Sequence, residues 1–114
     1  MATRQSVRAT TSDELCCSSV IEAPLSEAEA AELAQVMAAM ADPVRLRLLS
    51  LVAAQGEVCS CDLEAPLARS QPTVSHHTRI LAAAGLITGD KRGKWTWWRI
   101  EPTRLAAVRR ALGA

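Results

Sequence analysis

Four cysteines in two close pairs carry the strongest chemical signal in this chain: Cys16-Cys17, and Cys59 with Cys61 in the run Cys59-Ser60-Cys61-Asp62-Leu63. Thiolate sulfur is a soft donor. Two sulfurs one residue apart, or adjacent on a pliable backbone, can reach a single ion. Trivalent arsenic and antimony favour a pyramid of three such sulfurs; cadmium and lead accept three or four. Zinc held for structural purposes wants a wider C-x₂₋₄-C spacing than an adjacent pair provides. Cys16, Cys17, Cys59 and Cys61 are therefore the candidate ligands for a soft metal or metalloid, and four unrelated idle thiols are the plain alternative.

Close behind the second pair comes Ser70-Gln71-Pro72-Thr73-Val74-Ser75-His76-His77. Its side chains suit hydrogen bonding to nucleic acid rather than catalysis. Gln71 has the donor-acceptor pair that reads adenine in two places. Thr73, Ser75 and His76 suit base or phosphate contacts. Arg79, Lys91, Arg92 and Lys94 suit phosphates. A metal role for His76 or His77 lacks support, because neither has a carboxylate partner at helical spacing and Arg79 repels a cation. His77 is expected at the boundary of the core. The charge distribution agrees. Residues 1–65 hold four arginines against ten acids, a net of −6, while residues 66–114 hold nine basic residues against two acids, a net of +7. A basic half suits an anionic partner such as double-stranded DNA.

The elements that must position these groups are legible from period and punctuation. Residues 1–24 read as an arm bearing the Cys16-Cys17 pair, and residues 25–114 as one DNA-binding and dimerisation domain. Ser26 and Glu29 form an S-x-x-E capping box that opens a helix carrying Leu33, Val36, Met37 and Met40 at helical spacing. Asp42-Pro43 is an N-cap followed by a first-turn proline. The helix it starts is apolar nearly all round, which predicts burial at the domain centre, and Gly56 stops it. A short helix over residues 61–68 and a tight turn lead to a helix over residues 71–84, with Val74, Thr78 and Leu81 inward. That pair is a helix-turn-helix. Beyond Gly85 the period becomes two: Leu86-Ile87-Thr88 and the run from Trp95 to Ile100 flank a six-residue basic tip, Gly89 to Lys94. Thr96, Trp98 and Ile100 are expected inward; Trp95, Trp97 and Arg99 lie on the other face. A last amphipathic helix after Pro102 carries Leu105, Val108 and Leu112. The fold class is mainly α with a β-hairpin wing, a winged helix-turn-helix. The apolar stripes of the first and last helices predict a homodimer, with Leu105 and Val108 central.

These residues resemble the ArsR/SmtB family of bacterial metal-responsive winged-helix repressors. The likeness runs from Asp42 to Pro102 and rests on Asp42-Pro43-Val44-Arg45-Leu46-Arg47-Leu48-Leu49, the Cys59-Ser60-Cys61-Asp62-Leu63 box, the Ser70 to His77 run and Gly93-Lys94-Trp95. The resemblance implies a homodimer that holds inverted-repeat operator DNA without metal and releases it when metal binds. Three features set the chain within the family. One branch of arsenic sensors carries a third cysteine where Glu64 stands here. Cadmium and lead sensors pair the box with two separated N-terminal cysteines, whereas some actinobacterial arsenic sensors carry an adjacent pair, as here, and take a third thiol from the other protomer. Zinc and nickel sensors place His and acidic ligands on the last helix, which contains neither. The resemblance thus points to As(III) or Sb(III) as inducer, with a four-thiolate Cd(II) or Pb(II) site as the alternative.

Other classes fit less well. Vicinal thiols could serve a reductase or methyltransferase, but no phosphate loop, dinucleotide fingerprint or nucleophile-base pair accompanies them, so no catalytic residues are expected. A constitutive architectural DNA-binding protein has no need of four cysteines. The most apolar stretch, Leu33 to Ala54, is broken by Asp42, Pro43, Arg45 and Arg47, too soon for a membrane span of about 20 residues. The first residues, Met1 to Thr11, lack the apolar core of a signal peptide. A cytoplasmic location is expected, where thiols stay reduced.

Overall fold

The computed structural model describes residues 23–113, so Cys16, Cys17 and nearly all of the expected arm lie outside the described residues. The elements are helix α1 (Glu27–Met40), helix α2 (Pro43–Gln55), strand β1 (Val58–Cys59), a 3₁₀ turn (Ser60–Asp62), helix α3 (Glu64–Leu67), helix α4 (Gln71–Ala83), strands β2 (Ile87–Arg92) and β3 (Trp95–Ile100), and helix α5 (Pro102–Ala111). The chain divides into two compact units. One joins residues up to Met37 with those from Pro102 onward; the other runs from Ala38 to Glu101.

In the first unit, the capping box forms as the spacing predicts. The Ser26 amide donates to Glu29 Oε1 at 2.9 Å and the Glu29 amide donates to Ser26 Oγ at 3.1 Å. Each end of the exchange satisfies an amide that the first turn of a helix leaves without a carbonyl. Leu33 and Val36 are buried on α1; on α5, Ala107, Val108 and Ala111 are buried. Val108 is 7% exposed within the single chain while Leu112 is 51% exposed. This corrects the expectation that Val108 centres an interface, since its side chain is already covered and Leu112 presents the uncovered apolar surface.

The second unit carries the helix-turn-helix and the sheet. Asp42 Oδ2 accepts from the amides of Val44 and Arg45 at 3.0 and 3.1 Å. With Pro43 as first residue, the start of α2 is fixed by the cap and by a ring that needs no donor there. Gly56, at φ 84, closes the helix. Burial of α2 is one-sided rather than complete: Leu48, Leu49 and Val52 are buried, but Leu46 is 49% exposed. Leu63 and Leu67, from the segment after β1, join Val74, Leu81 and Leu86 in the same core.

The sheet has three strands in the order β1-β3-β2, all pairs antiparallel. The short strand β1 pairs Val58 with Trp98 and Cys59 with Trp97. The hairpin is longer than expected and its turn tighter. Pairing runs from Ile87 opposite Ile100 out to Arg92 opposite Trp95, leaving Gly93 and Lys94 as a two-residue turn. Gly93, at φ 66, supplies the left-handed first position that such turns require. Gly89, expected in the tip, lies in β2 opposite Trp98. A Cβ at Gly89 would sit 2.7 Å from Trp98 Cζ3 and 2.9 Å from Thr96 Cγ2, so only glycine lets that indole lie across the strand.

Candidate thiolate site and nucleic-acid interface

Cys59 ends β1 and caps the 3₁₀ turn that follows. Its sulfur accepts a hydrogen bond from the Cys61 amide at 3.4 Å, the local geometry a C-x-C run favours when the chain turns at its middle residue. Cys59 is 2% exposed, whereas Cys61 is half-buried. The Cys61 thiol is pushed up to about 11, first by its hydrogen bond with the Cys59 thiol, then by burial and by the neighbouring Asp62 carboxylate. Cys61 therefore holds its proton at neutral pH, and any soft ion that binds there must displace it. Among the described residues no cluster of three or more His, Cys, Asp or Glu side chains is placed to hold a metal ion. Cys59 and Cys61 are the candidate thiols that the described residues bring together.

This thiol pair leads straight into the helix-turn-helix. The 3₁₀ turn runs into α3, which ends at Ala68 in the left-handed region at φ 53, ψ 45. Arg69 donates to the carbonyls of Leu67 and Ala68 at 3.2 and 3.1 Å, bracing this turn. Ser70 then caps α4 with an extended backbone, and its hydroxyl meets Thr73 Oγ1 at 3.3 Å rather than closing the first turn. On α4, Val74, Thr78 and Leu81 are buried as predicted. Thr78 Oγ1 satisfies itself on the Ser75 carbonyl at 3.0 Å.

The opposite side of α4 presents His76 and Arg79 to solvent, with Thr73 and Ser75 half-buried and Arg79 donating to Ser75 Oγ at 3.5 Å. Gln71 differs from expectation. It is half-buried, and its Oε1 is fully covered without a hydrogen-bond partner. Reading a base through both ends of its amide requires that oxygen to swing out. His77 is held on the inner side: its Nδ1 lies 3.3 Å from Arg45 NH1, and its ring meets His76 edge-on at 5.3 Å. Burial favours the neutral imidazole and outweighs the opposing pull of Asp42, with Arg45 pushing the same way as burial.

Arg45 is the positioning residue that sequence reading passed over. Its Nε donates to the Ala39 carbonyl at 2.6 Å and NH2 to the Ala38 carbonyl at 3.5 Å, while NH1 reaches His77. One guanidinium thus satisfies carbonyls at the end of α1 and touches α4. A signal existed: an arginine three residues after an Asp-Pro start sits one turn into the helix, within reach of the preceding helix end.

The wing also departs from expectation at one cation. Lys91 and Lys94 are exposed, Lys94 above the Trp95 ring at 5.4 Å. Arg92 is engaged elsewhere. It donates to Glu57 Oε2 at 2.7 Å and Oε1 at 3.3 Å, and to Asp90 Oδ2 at 3.0 Å, and it covers the Trp97 ring at 5.2 Å. Arg99 approaches the same Glu57 carboxylate at 3.9 Å. Arg92, expected to contact phosphate, is thus paired with two carboxylates, which a phosphate would have to displace.

Residues 42–88 match the model of the arsR family of bacterial regulatory proteins. An HTH-type transcriptional regulator of Methanocaldococcus jannaschii is 37% identical over 75 residues, covering 66% of this chain and 84% of the relative. The chain belongs to the ArsR family. The arsenical resistance operon repressor of Escherichia coli is 40% identical over 68 residues, 60% of this chain but 58% of the repressor, so the match spans little more than half of that protein. The crystal structure of the antimony-specific repressor AntR superposes with a TM-score of 0.67 at 28% identity, covering 82% of this chain and 85% of AntR. ArsR-family membership makes this a winged-helix, DNA-binding transcriptional regulator and not an enzyme. No helix among the described residues is long and apolar enough to cross a membrane.

Proposed function

We propose that the chain is an As(III)- or Sb(III)-responsive repressor that holds operator DNA as a metal-free homodimer in the cytoplasm and releases it when trivalent arsenic binds thiolates. The observation that carries this reading is the adjacency of the Cys59-Cys61 half-site to the turn that begins the helix-turn-helix. The names of the relatives support a metalloid inducer. Among the described residues α4 is the one candidate recognition helix, and a specific operator is read by two such helices in successive major grooves, which calls for a second protomer. Gln71, Thr73, Ser75, His76 and Arg79 face the DNA in this reading, and Lys91 and Lys94 contact phosphates from the wing.

Arsenite, As(OH)₃, meets three thiols. Three As–O bonds break, three As–S bonds form, and three waters leave with the thiol protons. Cys16 and Cys17 of one protomer supply two sulfurs, and Cys59 or Cys61 of the other supplies the third. Binding fixes the arm against the 3₁₀ turn and α3, which shifts the spacing of the two α4 helices. A hundredfold loss of operator affinity asks for about 2.7 kcal/mol of coupling, within the ordinary allosteric range.

The test is operator binding by fluorescence anisotropy with and without arsenite. Cys16→Ser, Cys17→Ser and the Cys59/Cys61 double serine variant should bind operator and ignore arsenite. A Cys16/Cys17 double variant that still releases DNA at wild-type arsenite concentrations would confine the site to Cys59 and Cys61. Release by cadmium or lead but not by arsenite would favour the four-thiolate site.

A further inference from the structure

Arg45 ties three segments of the second unit together through one planar group. Its Nε and NH2 donate to the carbonyls of Ala39 and Ala38, and its NH1 reaches Nδ1 of His77 at 3.3 Å. A guanidinium has N–H donors and no acceptor. The contact therefore holds only while Nδ1 carries a lone pair, which makes His77 a neutral ring with its proton on Nε2. We propose that His77 is a proton-operated latch on the recognition helix: taking up a proton breaks its contact with Arg45, lets α4 roll, and loosens the grip on DNA without any metal. The proposal rests on α4 reading the DNA and is independent of the inducer.

The shape of α4 explains why one contact matters. Val74, Thr78 and Leu81 form a narrow buried stripe. At 3.6 residues per turn, His77 stands about 60° around the helix from Val74, on the flank of that stripe, while His76 and Arg79 lie on the far side. So narrow a stripe fixes the distance of α4 from the core better than its rotation about its own axis. The Arg45 contact ties that flank to the corner between α1 and α2. A roll of about 10° carries side chains on the far side through roughly 1 Å, the helix being about 10–12 Å across. Hydrogen bonds to bases and phosphates do not survive that, since their donor–acceptor range is only about 0.5 Å wide.

The surroundings set the sign. The charged and titratable groups acting on the ring are Asp42 and Arg45 at the start of α2, His76 on the same helix and Arg69 in the turn before it. Asp42 is the one anion, and its Oδ2 already accepts the amides of Val44 and Arg45. A protonated His77 faces the Arg45 guanidinium with nothing to offer it. Burial, helped by Arg45, His76 and Arg69, holds the His77 pKa below the ordinary 6.5 against the pull of Asp42, so the latch opens only in acid. The chain has two histidines. The other, His76, is exposed, and a proton there adds a cation facing phosphate, which acts in the opposite sense.

The experiment is fluorescence anisotropy of a labelled duplex, selected from random sequence by the metal-free full-length protein, in chelator at constant ionic strength from pH 7.5 to 5.5. A His76→Gln protein removes the opposing titration, and only its pH profile is read. Its affinity should hold down to about pH 6.5 and fall at least threefold by pH 5.5. Adding His77→Asn sets an amide oxygen where Nδ1 stood and should flatten the profile to within twofold. Adding Asp42→Asn instead keeps a capping oxygen but removes the charge that favours the imidazolium, so the fall should begin at lower pH. A flat His76→Gln profile, a fall that persists with His77→Asn, or a fall that coincides with loss of far-ultraviolet circular dichroism overturns the proposal. Should the His77→Asn protein fail to fold, Asp42→Asn decides, and a fall that starts at the same pH as before overturns it. Arg79→Ala, read at pH 7.5, should weaken binding. Unchanged binding there unseats α4 from the DNA and the latch with it, whereas a flat pH profile beside a weakened Arg79→Ala defeats the latch alone.

Discussion

Glu57 holds Arg92 through both carboxylate oxygens, and a phosphate near the wing must compete with that grip. The pair is exposed, so solvent screens it and it adds little to stability, yet it decides where the guanidinium points. Glu57→Gln should tighten operator binding several-fold and steepen the logarithmic salt slope by about 1, as one more cation reaches the backbone. Arg92→Ala should cost less affinity than Lys91→Ala. Anisotropy titrations across a potassium chloride series check both, and an Arg92→Ala defect larger than that of Lys91→Ala would reverse the assignment. His77 makes a second residue-scale prediction. Burial lowers its pKa below the ordinary 6.5 against the pull of Asp42. The unfolded chain therefore takes up a proton on this residue before the folded chain does. Above pH about 6.5 neither state is protonated and nothing is lost; as pH falls from there toward the folded value, stability drops. The melting temperature of wild type should fall between pH 7 and pH 5, and His77→Gln should flatten that slope.

At the scale of elements, punctuation was legible and short pairing was not. Ser26 with Glu29, Asp42 with Pro43, and the Val74-Thr78-Leu81 stripe each declare a helix by local chemistry, and each forms as read. Strand β1 has two residues, too few to show a period, and it exists because β3 offers it a partner. The wing tip misled for a related reason. Gly89 and Gly93 both looked like turn residues, but Gly89 is glycine because Trp98 lies over it. The thiol pair was legible from spacing alone, while the role of Arg45 depends on contacts between segments far apart in sequence. Gly89→Ala tests the close approach. Displacing the indole should destabilise the protein by about 1–3 kcal/mol, as overpacking does. Thermal unfolding that is unchanged in this variant would mean that the ring yields freely.

At the scale of the whole molecule, the acidic first half and basic second half give a chain whose net charge of +1 hides its polarity. In the proposed homodimer, assembly rests on apolar surface that the described residues of a single chain leave uncovered. Leu112 is half exposed near the end of α5, beside half-buried Leu105. Leu112→Asp should raise the dimer dissociation constant at least tenfold in sedimentation equilibrium while circular dichroism stays unchanged. A monomer in the wild type at micromolar concentration would refute the assembly.

Strand β1 is joined to the sheet by two residue pairs, and the sulfur it carries is shut away from solvent. In the proposed site an ion binds Cys59 only once this nearly covered sulfur is uncovered, so arrival is a matter of waiting as much as of concentration. Local opening of so short a segment is the low-energy kind of fluctuation. The rate of operator release should therefore rise with arsenite and then level off in stopped-flow traces. The plateau should match the opening rate read from hydrogen exchange at the Val58 and Cys59 amides. A rate that climbs linearly throughout would mean that the door stands open at rest.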